Sequence, residues 1–530
     1  MVSKTFSRDE VAQHSTTGDL WVVIDSRVYD LSNFAPMHPG GLAVLLDSEI
    51  AGQDATEQFF ALHRVEVLDR YARFQIGTIE GEQLQVESRA SGSLSKVPYA
   101  EPTWLSPGYH SPYYKEHHRR FQKAYRKFID EVVFPDAQAR ESDGRMPSKK
   151  VFDEKCRLNL LAMQIGPGKH LEGRVLMDGA ITLEEASWPK NSVFLNSVEL
   201  QFDPFIELIM VQEGARLHAR GYSDGLAGGT IIGLPPVINF AQPALRDRVV
   251  EDALSGRKPI CLAVTEAFAG SDVQGIRTRA TKTPDGSWLV NGTKKWITNA
   301  VWAHYFTTAC KTDSGEIIVL VIERGEGVRT TPIKTLYSSA AGTAFVTFDN
   351  VRVPDANRLG AGLPGLNIII GIRLSHFRWA LVAHDIARQR VIFEECFKWV
   401  TQRKAFEKPL SSQAVIRQKL ASMISRFESC QSWLENITFQ MCQMSSKEQA
   451  QHLAGQTAFL KTHATRAAQQ TAADAVQMFG GRALTQTGMG RFIEHVNANQ
   501  VPILTVATAE DVLGDLGVRQ ALRNMPRTRL

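Results

Sequence analysis

Cysteine is scarce in this chain, and the cysteines present are widely spaced. The 530 residues include six, at positions 156, 261, 310, 396, 430 and 442, and no two of them form a Cys-x-x-Cys pair. This spacing disfavours both a disulfide framework and a cysteine-ligated zinc site. We therefore expect reduced thiols that are buried in the core.

Long apolar runs are also missing. No run reaches the roughly 18 to 20 residues that cross a bilayer, and the polar start MVSKTFSRDE lacks the apolar stretch of a signal peptide. We therefore expect a soluble, cytoplasmic protein with no membrane span. The last three residues, Thr-Arg-Leu, resemble the peroxisomal ending Ser-Lys-Leu only loosely, so a peroxisomal location is the alternative.

The net charge is small but unevenly distributed. It totals +4, yet residues 1–82 hold 13 acidic and 6 basic side chains, a net charge of −7, which leaves +11 on the rest. Two independently solubilised domains would explain this asymmetry. Alternatively, an acidic module docks on a basic body, or the body attracts an anionic substrate. The basic cluster at 117–120 is interpreted as a solvated helix face, and nothing indicates nucleic-acid binding.

Two histidines near the N terminus have the surroundings of metal ligands. Short strand patterns lead into Gly-rich turns and short helices, and His38 and His63 follow apolar segments at the borders of these helices. Such positions would let two imidazoles reach one iron from opposite sides, which leaves no open coordination position and suits electron transfer. A single His-Pro-Gly-Gly could instead be an ordinary turn.

Residues 4–82 closely resemble cytochrome b5. The resemblance rests on the Val-Tyr-Asp-Leu segment, the His-Pro-Gly-Gly turn at His38, the Gly-Gln-Asp-Ala-Thr-Glu segment and the second histidine, His63. It implies a haem b that is held by His38 and His63, with Phe34 and residues 42–46 among its apolar walls. Residues 83–115 are rich in Ser, Gly and Pro, which suits a flexible tether. Alternatively, the aromatic residues of this segment pack on the body.

The stretch from residue 263 to residue 300 has the pattern of a β-domain that binds a planar ring. Alternating apolar segments at 262–264, 288–290, 306–309 and 317–322 are separated by turn sequences, and helical patterns flank them. Hydroxyls at Thr265, Ser271 and Thr298, together with Trp296, could bind the polar edge and cover the apolar face of a flavin. The alternative is an ordinary β-rich domain with a buried tryptophan.

These residues resemble the acyl-CoA dehydrogenase family, whose central motifs match TEAFAGSD and WITN in this chain. The resemblance implies a multidomain α+β protein in which the cytochrome b5-like domain precedes a helical domain, a β-barrel domain and a C-terminal helical bundle. The implied boundaries are 1–82 for the haem-binding domain, 83–115 for the linker, 116–260 for the N-terminal helical domain, 261–358 for the β-domain and 359–530 for the C-terminal helical domain.

The same resemblance implies the cofactor and its ligands. FAD would be bound by Val264, Thr265, Ser271, Trp296 and Thr298 and, from a neighbouring subunit, by Arg403, Phe406, Gln477, Gly480 and Gly481. Ser271 would lie between flavin and substrate, and Arg378 would also contact the substrate. Because the FAD sites would lie between subunits, we expect a homodimer or homotetramer. Glu407 replaces the usual glycine after the family's phenylalanine, which places an anion near the expected pyrophosphate.

The family's catalytic carboxylate has no counterpart at either expected position. One alignment places Ala507 there and the other places Phe377, next to Arg378, and neither side chain accepts a proton. Glu510 and Asp511 are nearby in sequence, and we interpret them as helix-start charges rather than as a displaced base. We therefore expect weak dehydrogenation of ordinary saturated acyl-CoAs, and either a more acidic substrate or a different reaction.

The sequence thus predicts an FAD-dependent oxidoreductase that acts on a CH–CH group of a small-molecule acyl substrate, such as an acyl-CoA, and exchanges electrons with its own haem and a redox partner. A flavin oxidase or monooxygenase acting on a non-CoA substrate is one alternative. A cofactor-binding electron-transfer protein without dehydrogenase activity is the other.

Overall fold

The computed structural model describes residues 4–86, 89–166, 168–188, 201–335, 339–371, 374–505 and 510–525. The chain divides into two compact units. The first comprises Met1–Ala90, Glu395–Leu420 and Ala475–Glu494, and the second comprises Ser91–Glu394, Ala421–Asp474 and His495–Leu530. Within the described ranges, no helix combines the length and the apolar character needed to cross a membrane.

Strands and helices alternate in three regions along the chain. The strands are β1 (Lys4–Phe6), β2 (Ser15–Thr16), β3 (Asp19–Ile24), β4 (Arg27–Asp30), β5 (Gln75–Ile79), β6 (Ser187–Trp188), β7 (Gln201–Phe202), β8 (Ile260–Ala263), β9 (Arg279–Lys282), β10 (Trp288–Ile297), β11 (Tyr305–Thr312), β12 (Ile317–Glu323), β13 (Val328–Pro332), β14 (Ala344–Val353), β15 (Arg358–Leu359), β16 (Lys404–Ala405) and β17 (Lys408–Pro409). The helices are α1 (Arg8–Ala12), α2 (Leu42–Leu45), α3 (Thr56–Leu62), α4 (Glu66–Arg70), α5 (Glu116–Phe128), α6 (Phe134–Asp143), α7 (Lys149–Arg157), α8 (Leu160–Gln164), α9 (Pro204–Gly214), α10 (Arg220–Ser223), α11 (Gly229–Gly233), α12 (Pro235–Phe240), α13 (Pro243–Leu254), α14 (Gly365–Gly371), α15 (Leu374–Gln402), α16 (Ala414–Gln443), α17 (Ser446–Phe479), α18 (Arg491–Thr505) and α19 (Glu510–Asn524).

The N-terminal module, residues 4–86 of the first unit, is built on a five-stranded sheet. Its strand order is β1-β5-β4-β3-β2, and only the pairing of β1 with β5 is parallel. Side chains on β3 alternate between two cores, because successive residues of a strand point to opposite faces. Val22 and Ile24 pack with Tyr29 in one core, and Val23 packs with Val28 in the other.

The first helical region of the second unit buries one face of α5. Phe121, Tyr125 and Phe128 are buried, as the helical period of these positions predicts. Arg126 on the same helix is also buried, and it donates hydrogen bonds to the carboxylates of Glu101 and Glu213 at 2.7–2.8 Å. A fully paired ion cluster therefore fixes this helix.

Residues 91–115 pack within the second unit, so the packed alternative for the aromatic residues of this segment describes them. Trp104 is buried and stacks on Tyr114 with ring centroids 4.0 Å apart. The backbone N–H of Gly92 also donates to Asp130 at 2.9 Å.

The β-domain follows α13 and forms an eight-stranded sheet. Seven strands have the order β13-β14-β10-β9-β11-β12-β15, and β8 pairs in parallel with β11. Alternate residues of β10 and β14 supply its core, including Trp288, Val290, Val346 and Phe348. Short α11 lies directly against β8, because a Cβ at Gly229 would lie 2.4 Å from the carbonyl oxygen of Ile260. The Gly-rich segment therefore serves close packing, as we predicted.

Three long helices, α15, α16 and α17, form the C-terminal helical region. Within the second unit, the Trp379 Nε1–H on α15 donates to the hydroxyl of Thr438 on α16 at 2.8 Å, and Phe393 packs edge-on against Phe427. Helices, a β-domain and then long helices, preceded by a small α+β module, confirm the predicted multidomain α+β class.

Candidate cofactor and substrate sites

The two predicted haem ligands face each other across a cleft in the N-terminal module. His38 ends the short helical turn Ala35–Met37, and His63 directly follows α3. Their ring centroids are 6.0 Å apart and their planes are 83° apart. An imidazole nitrogen binds a metal at about 2 Å, so this separation accommodates one metal ion between the two rings.

Burial and packing prepare this cleft for a neutral, metal-binding imidazole pair. Burial, followed by the proximity of His38, lowers the pKa of His63, which favours the neutral form that binds metals. The Nδ1 atom of His38 is buried and lacks a hydrogen-bond partner. A Cβ at Gly40 would lie 2.8 Å from the His38 ring, so glycine leaves that ring its space.

Apolar side chains line the cleft. Phe34 lies 6.0 Å from His38 and 5.2 Å from Phe74, and Phe59 lies 5.0 Å from His63, all between ring centroids. Of residues 42–46, which we predicted to line the haem, Leu45 is buried and Val44 is exposed. The residues present therefore fit a haem with two axial histidines.

The two predicted flavin motifs meet at the end of β10. The Thr265 hydroxyl donates to the carbonyl of Lys295 at 2.6 Å, and the Lys295 N–H donates to the carbonyl of Thr265 at 2.9 Å. These two hydrogen bonds bring buried Val264 and half-buried Thr298 into the same region. Residues 30 positions apart in sequence thus form one site.

Trp296 has the exposure and backbone of a residue that covers a ligand. Its φ of +66° lies in the left-handed region, which is unusual for a bulky side chain, and 53% of the residue is exposed. Ser271 is also exposed, on the loop that follows β8. A free aromatic face beside the Thr265 and Thr298 hydroxyls fits the isoalloxazine ring of FAD.

A buried ion pair that the sequence reasoning missed supports this site from behind. Lys294 Nζ lies 2.8 Å from Glu266 Oε1 and also donates to the carbonyl of Val264 at 3.0 Å. Burial acts to raise the pKa of Glu266, but Lys294 and the hydrogen bonds from Thr278 outweigh it and hold that pKa below its ordinary value. A glutamate inside the first motif and a lysine at an inward position of β10 were the available signals.

The remaining predicted FAD ligands lie together in the first unit. The Trp399 Nε1–H donates to the carbonyl of Met478 at 3.0 Å, and its ring stacks on Phe479. The end of α15 is thereby fastened to the segment that carries Gln477, Gly480 and Gly481. All three residues are exposed, as are Arg403 and Phe406.

Arg482, which the sequence reasoning missed, adds a second cation to this group. Its guanidinium lies 5.1 Å from the Trp399 ring, and burial, followed by the charge of Arg403, lowers its pKa. Phe406 is 90% exposed with a φ of +54°, so its ring is free to stack. Glu407 is likewise exposed. Two guanidiniums beside exposed glycines and an open aromatic ring fit the pyrophosphate and adenine of a dinucleotide.

A cavity in the second unit contains the position where a catalytic carboxylate was expected. Helices α8, α9, α11, α12 and α15 surround this α9–α15 cavity, which is lined by Gln164, Ile165, Glu207, Met210, Val211, Ile231, Ile232, Pro235, His376, Phe377 and Ala380. Phe377 therefore faces the space that a substrate would occupy. The adjacent Arg378 is buried, and burial lowers its pKa.

The other expected base position, Ala507, lies outside the described residues, as does the C-terminal Thr-Arg-Leu. Glu510 and Asp511 lie in the first turn of α19, and the Arg466 guanidinium lies 3.2 Å from Glu510 and 3.9 Å from Asp511. These ion pairs agree with our interpretation of both residues as helix-start charges.

One further cluster resembles a metal site but is a helix cap. Ligand atoms of His117, His118 and Asp203 lie within 4.8 Å of one another. The backbone N–H of Lys115 donates to His118 Nδ1, which leaves His118 Nε2 to donate to Asp203 at 2.9 Å. Asp203 also accepts from the backbone N–H of Phe205 at the start of α9. The atoms of His118 that would bind a metal are therefore already used.

Comparisons with known proteins agree with this arrangement. Three family models match: the cytochrome b5-like heme/steroid binding domain at residues 7–80, the acyl-CoA dehydrogenase middle domain at 261–351, and the acyl-CoA dehydrogenase C-terminal domain at 364–502. Acyl-CoA dehydrogenase apdG of Emericella nidulans is 32% identical over 439 residues, which are 81% of this chain and 96% of the relative. The chain belongs to the acyl-CoA dehydrogenase family.

Other members of the acyl-CoA dehydrogenase family match over similar lengths. Acyl-CoA dehydrogenase AFT10-1 of Alternaria alternata is 29% identical over 82% of this chain and 98% of its own. A glutaryl-CoA dehydrogenase of Mycobacterium smegmatis, solved in complex with FADH2, covers 78% of this chain and 97% of its own with a TM-score of 0.62 and 19% identity. That identity shows a shared fold. This member of the family also carries a cytochrome b5-like domain at its N terminus.

Proposed function

We propose that the protein is an FAD-dependent oxidoreductase that acts on the CH–CH group of an acyl-CoA or related acyl substrate and exchanges electrons through its fused haem module. The observation that carries this proposal is the pairing of Thr265 with Lys295, which joins both flavin motifs beside exposed Trp296. The facing pair of His38 and His63 supports the haem assignment.

Each cofactor has residues that would hold it. Val264, Thr265, Ser271, Trp296 and Thr298 would bind the flavin ring, and His38 and His63 would be the axial ligands of haem b. In these proteins FAD accepts a hydride and haem b passes single electrons when bound.

The second FAD group supports an oligomeric enzyme. Arg403, Phe406, Gln477, Gly480 and Gly481 would bind the pyrophosphate and adenine of the FAD of a neighbouring subunit, with Arg482 beside them. A homodimer or homotetramer follows from this assignment, and size-exclusion chromatography with light scattering measures it. A monomer that binds FAD tightly would contradict it.

The α9–α15 cavity would receive the acyl group. Most of its lining is apolar, which suits an acyl chain, and Ser271 and Arg378 would contact the thioester end. Phe377 cannot accept a proton, so we expect ordinary saturated acyl-CoAs to be poor substrates and compounds with a more acidic α-proton to be better ones.

The test is a spectrum of the purified full chain followed by anaerobic titration with acyl-CoAs. We expect one haem and one FAD per chain, and bleaching of the flavin absorbance by an acyl-CoA with an acidic α-proton. Oxygen consumption with NAD(P)H would instead support a flavin oxidase or monooxygenase. Cofactor reduction without turnover of any acyl-CoA would support an electron-transfer protein that has lost dehydrogenation.

A further inference from the structure

The α9–α15 cavity contains a histidine–carboxylate pair. His376, on α15, lies next to Phe377, and its Nε2 is 2.6 Å from Oε1 of Glu207 on α9. Both residues line the cavity, where their neighbours Met210, Ile231 and others are mostly apolar. The residue at position 377 therefore lacks a proton acceptor, but the residue before it in the same cavity is one.

The hydrogen bonding of His376 leaves one ring nitrogen available. Glu207 Oε1 accepts the Nε2–H, so Nδ1 carries the lone pair, and among the described residues no hydrogen bond reaches Nδ1. The side chain of His376 keeps 17% of its surface exposed, whereas that of Glu207 keeps 6%. A buried carboxylate that orients an imidazole whose other nitrogen is free is the arrangement that makes histidine a general base.

A second histidine–carboxylate pair in the same unit shows what a purely structural pair looks like. His118 uses both ring nitrogens, since Nδ1 accepts from the Lys115 N–H and Nε2 donates to Asp203. It is fully buried, and it does not line the α9–α15 cavity. Both pairs join a histidine to a carboxylate, and only the His376 pair combines a free nitrogen with an open space.

We propose that His376 is the catalytic base of this enzyme and that Glu207 is its positioning residue, an inference that rests on the proposed function of the cavity. The C–H bond at the α-carbon of a bound acyl thioester breaks, and its proton moves to His376 Nδ1. The electron pair of that bond stays on the thioester as an enolate. Glu207 keeps the Nε2 proton in place and stabilises the imidazolium that forms.

The proton-transfer step can be measured without any redox chemistry. In 3-thiaoctanoyl-CoA, sulfur replaces the β-carbon, so this probe offers an acidic α-proton and no β-hydrogen to lose. Incubation with the purified full-length protein in D₂O, followed by mass spectrometry, measures α-proton exchange directly. We expect the wild-type protein to catalyse exchange and His376→Gln to slow it by about 10² to 10⁴-fold, the usual contribution of a general base.

Three companion variants separate a base from a structural residue. Exchange by His376→Ala is expected to recover when free imidazole is added, which a packing role would not allow. Glu207→Gln is expected to slow exchange less than His376→Gln, and Glu207→Asp to restore part of that loss. His118→Gln is the matched control, because it removes a buried histidine–carboxylate pair and is expected to leave the exchange rate unchanged.

The outcomes distinguish this inference from the proposed function. Wild-type exchange that persists in His376→Gln, or an absence of exchange by the wild type, overturns the assignment of His376 as the base even if acyl-CoAs reduce the flavin. Exchange that depends on His376, combined with no flavin reduction by any acyl-CoA, supports the base and overturns the dehydrogenase function.

Discussion

The haem cleft of the N-terminal module and the α9–α15 cavity of the second unit differ in how completely each retains its expected chemistry. The cleft has both histidines in facing positions, with 6.0 Å between ring centroids. The cavity has Phe377 where a carboxylate was expected, and a histidine–glutamate pair beside it. A metal needs particular ligands at fixed distances, whereas several side chains can remove a proton. Motifs therefore predict the cofactors of this protein better than they predict its reaction.

The two regions also differ in where their charges lie. In the N-terminal module, Arg8 pairs with Glu82 while its side chain stays 50% exposed. In the second unit, Lys294 and Glu266 form an ion pair with at most 4% of either side chain exposed. Surface pairs contribute little to stability, while breaking a buried pair is costly. Substitutions in the two regions should therefore have effects of very different size.

The largest expected effect is loss of the haem ligation. His38→Ala or His63→Ala is expected to abolish the six-coordinate low-spin haem spectrum of the purified protein, because each removes one axial ligand. FAD absorbance should remain, since its expected ligands lie elsewhere. His14→Ala is the control, because His14 stacks on Trp21 and pairs with Asp19 away from the cleft. A six-coordinate haem in both cleft variants would refute the ligand assignment.

The next prediction exchanges one base for another in the cavity. In the His376→Gln background, Phe377→Glu is expected to restore α-proton exchange of 3-thiaoctanoyl-CoA, because both positions line the same space. The gain should fall within the range of about 10² to 10⁴-fold that general bases supply. Phe377→Gln in the same background is the control, since an amide has a similar shape and is a very weak base. Equal exchange by the two double variants would count against this position.

The third prediction concerns the ion pair behind the flavin motifs. Lys294→Met leaves Glu266 buried without its cation, and we expect it to lower the free energy of unfolding by about 3–5 kcal/mol. The double variant Lys294→Met/Glu266→Gln should recover part of this loss, because no uncompensated charge remains. Calorimetry of the full chain measures both. A loss no larger than that of Arg8→Met, which breaks exposed pairs, would mean that burial does not set the cost.

Much of this architecture could be predicted from local patterns. The predicted apolar segments at 262–264, 288–290, 306–309 and 317–322 coincide with β8, β10, β11 and β12, because alternation of side chains is a property of the strand itself. The adjacency of Thr265 and Trp296 followed from the family motifs.

Partners far apart in sequence could not be predicted in the same way. His376 and Glu207 are 169 residues apart and meet only because α9 and α15 border one cavity. Lys294 and Glu266 meet through the pairing of neighbouring backbone segments, and Arg482 is placed near Arg403 by the packing of Trp399. Each pair depends on tertiary packing, which no short motif records.

The fourth prediction uses a buried acid on α15. Burial raises the pKa of Asp385 to about 6, and the nearby cations Arg388, Arg220 and Lys461 only partly oppose this. Because the folded pKa exceeds the unfolded one, the contribution of this group is favourable at low pH and is lost as the pH rises through about 6. We expect Asp385→Asn to gain roughly 1–2 kcal/mol of stability relative to the wild type between pH 5 and pH 7.5.

Urea unfolding at the two pH values measures this difference. Asp511→Asn, at an exposed position, is the control and should show no such change. A gap between Asp385→Asn and the wild type that narrows with rising pH would reverse the sign and exclude a raised pKa.

The smallest expected effect belongs to an exposed pair within the first unit. Lys404 Nζ, in β16, lies 2.9 Å from Glu57 in α3, and both side chains are more than half exposed. Lys404→Ala should therefore lower the stability of the first unit by only about 0.2–1 kcal/mol, whereas Arg64→Met should cost more. Arg64 is largely buried, pairs with Glu395 and packs 4.3 Å from the Phe492 ring centroid.

The effect of salt on these two variants decides between the explanations of the charge asymmetry. If the acidic module is held by general attraction to basic residues, the Lys404→Ala effect should be large in dilute buffer and vanish near 1 M salt, where charges are screened beyond about 3 Å. If the module is held by particular packed contacts, Lys404→Ala should have little effect at any salt concentration, and the cost of Arg64→Met should persist. Because Arg64 combines a shielded ion pair with an aromatic contact, we expect the second result in thermal unfolding at both salt concentrations.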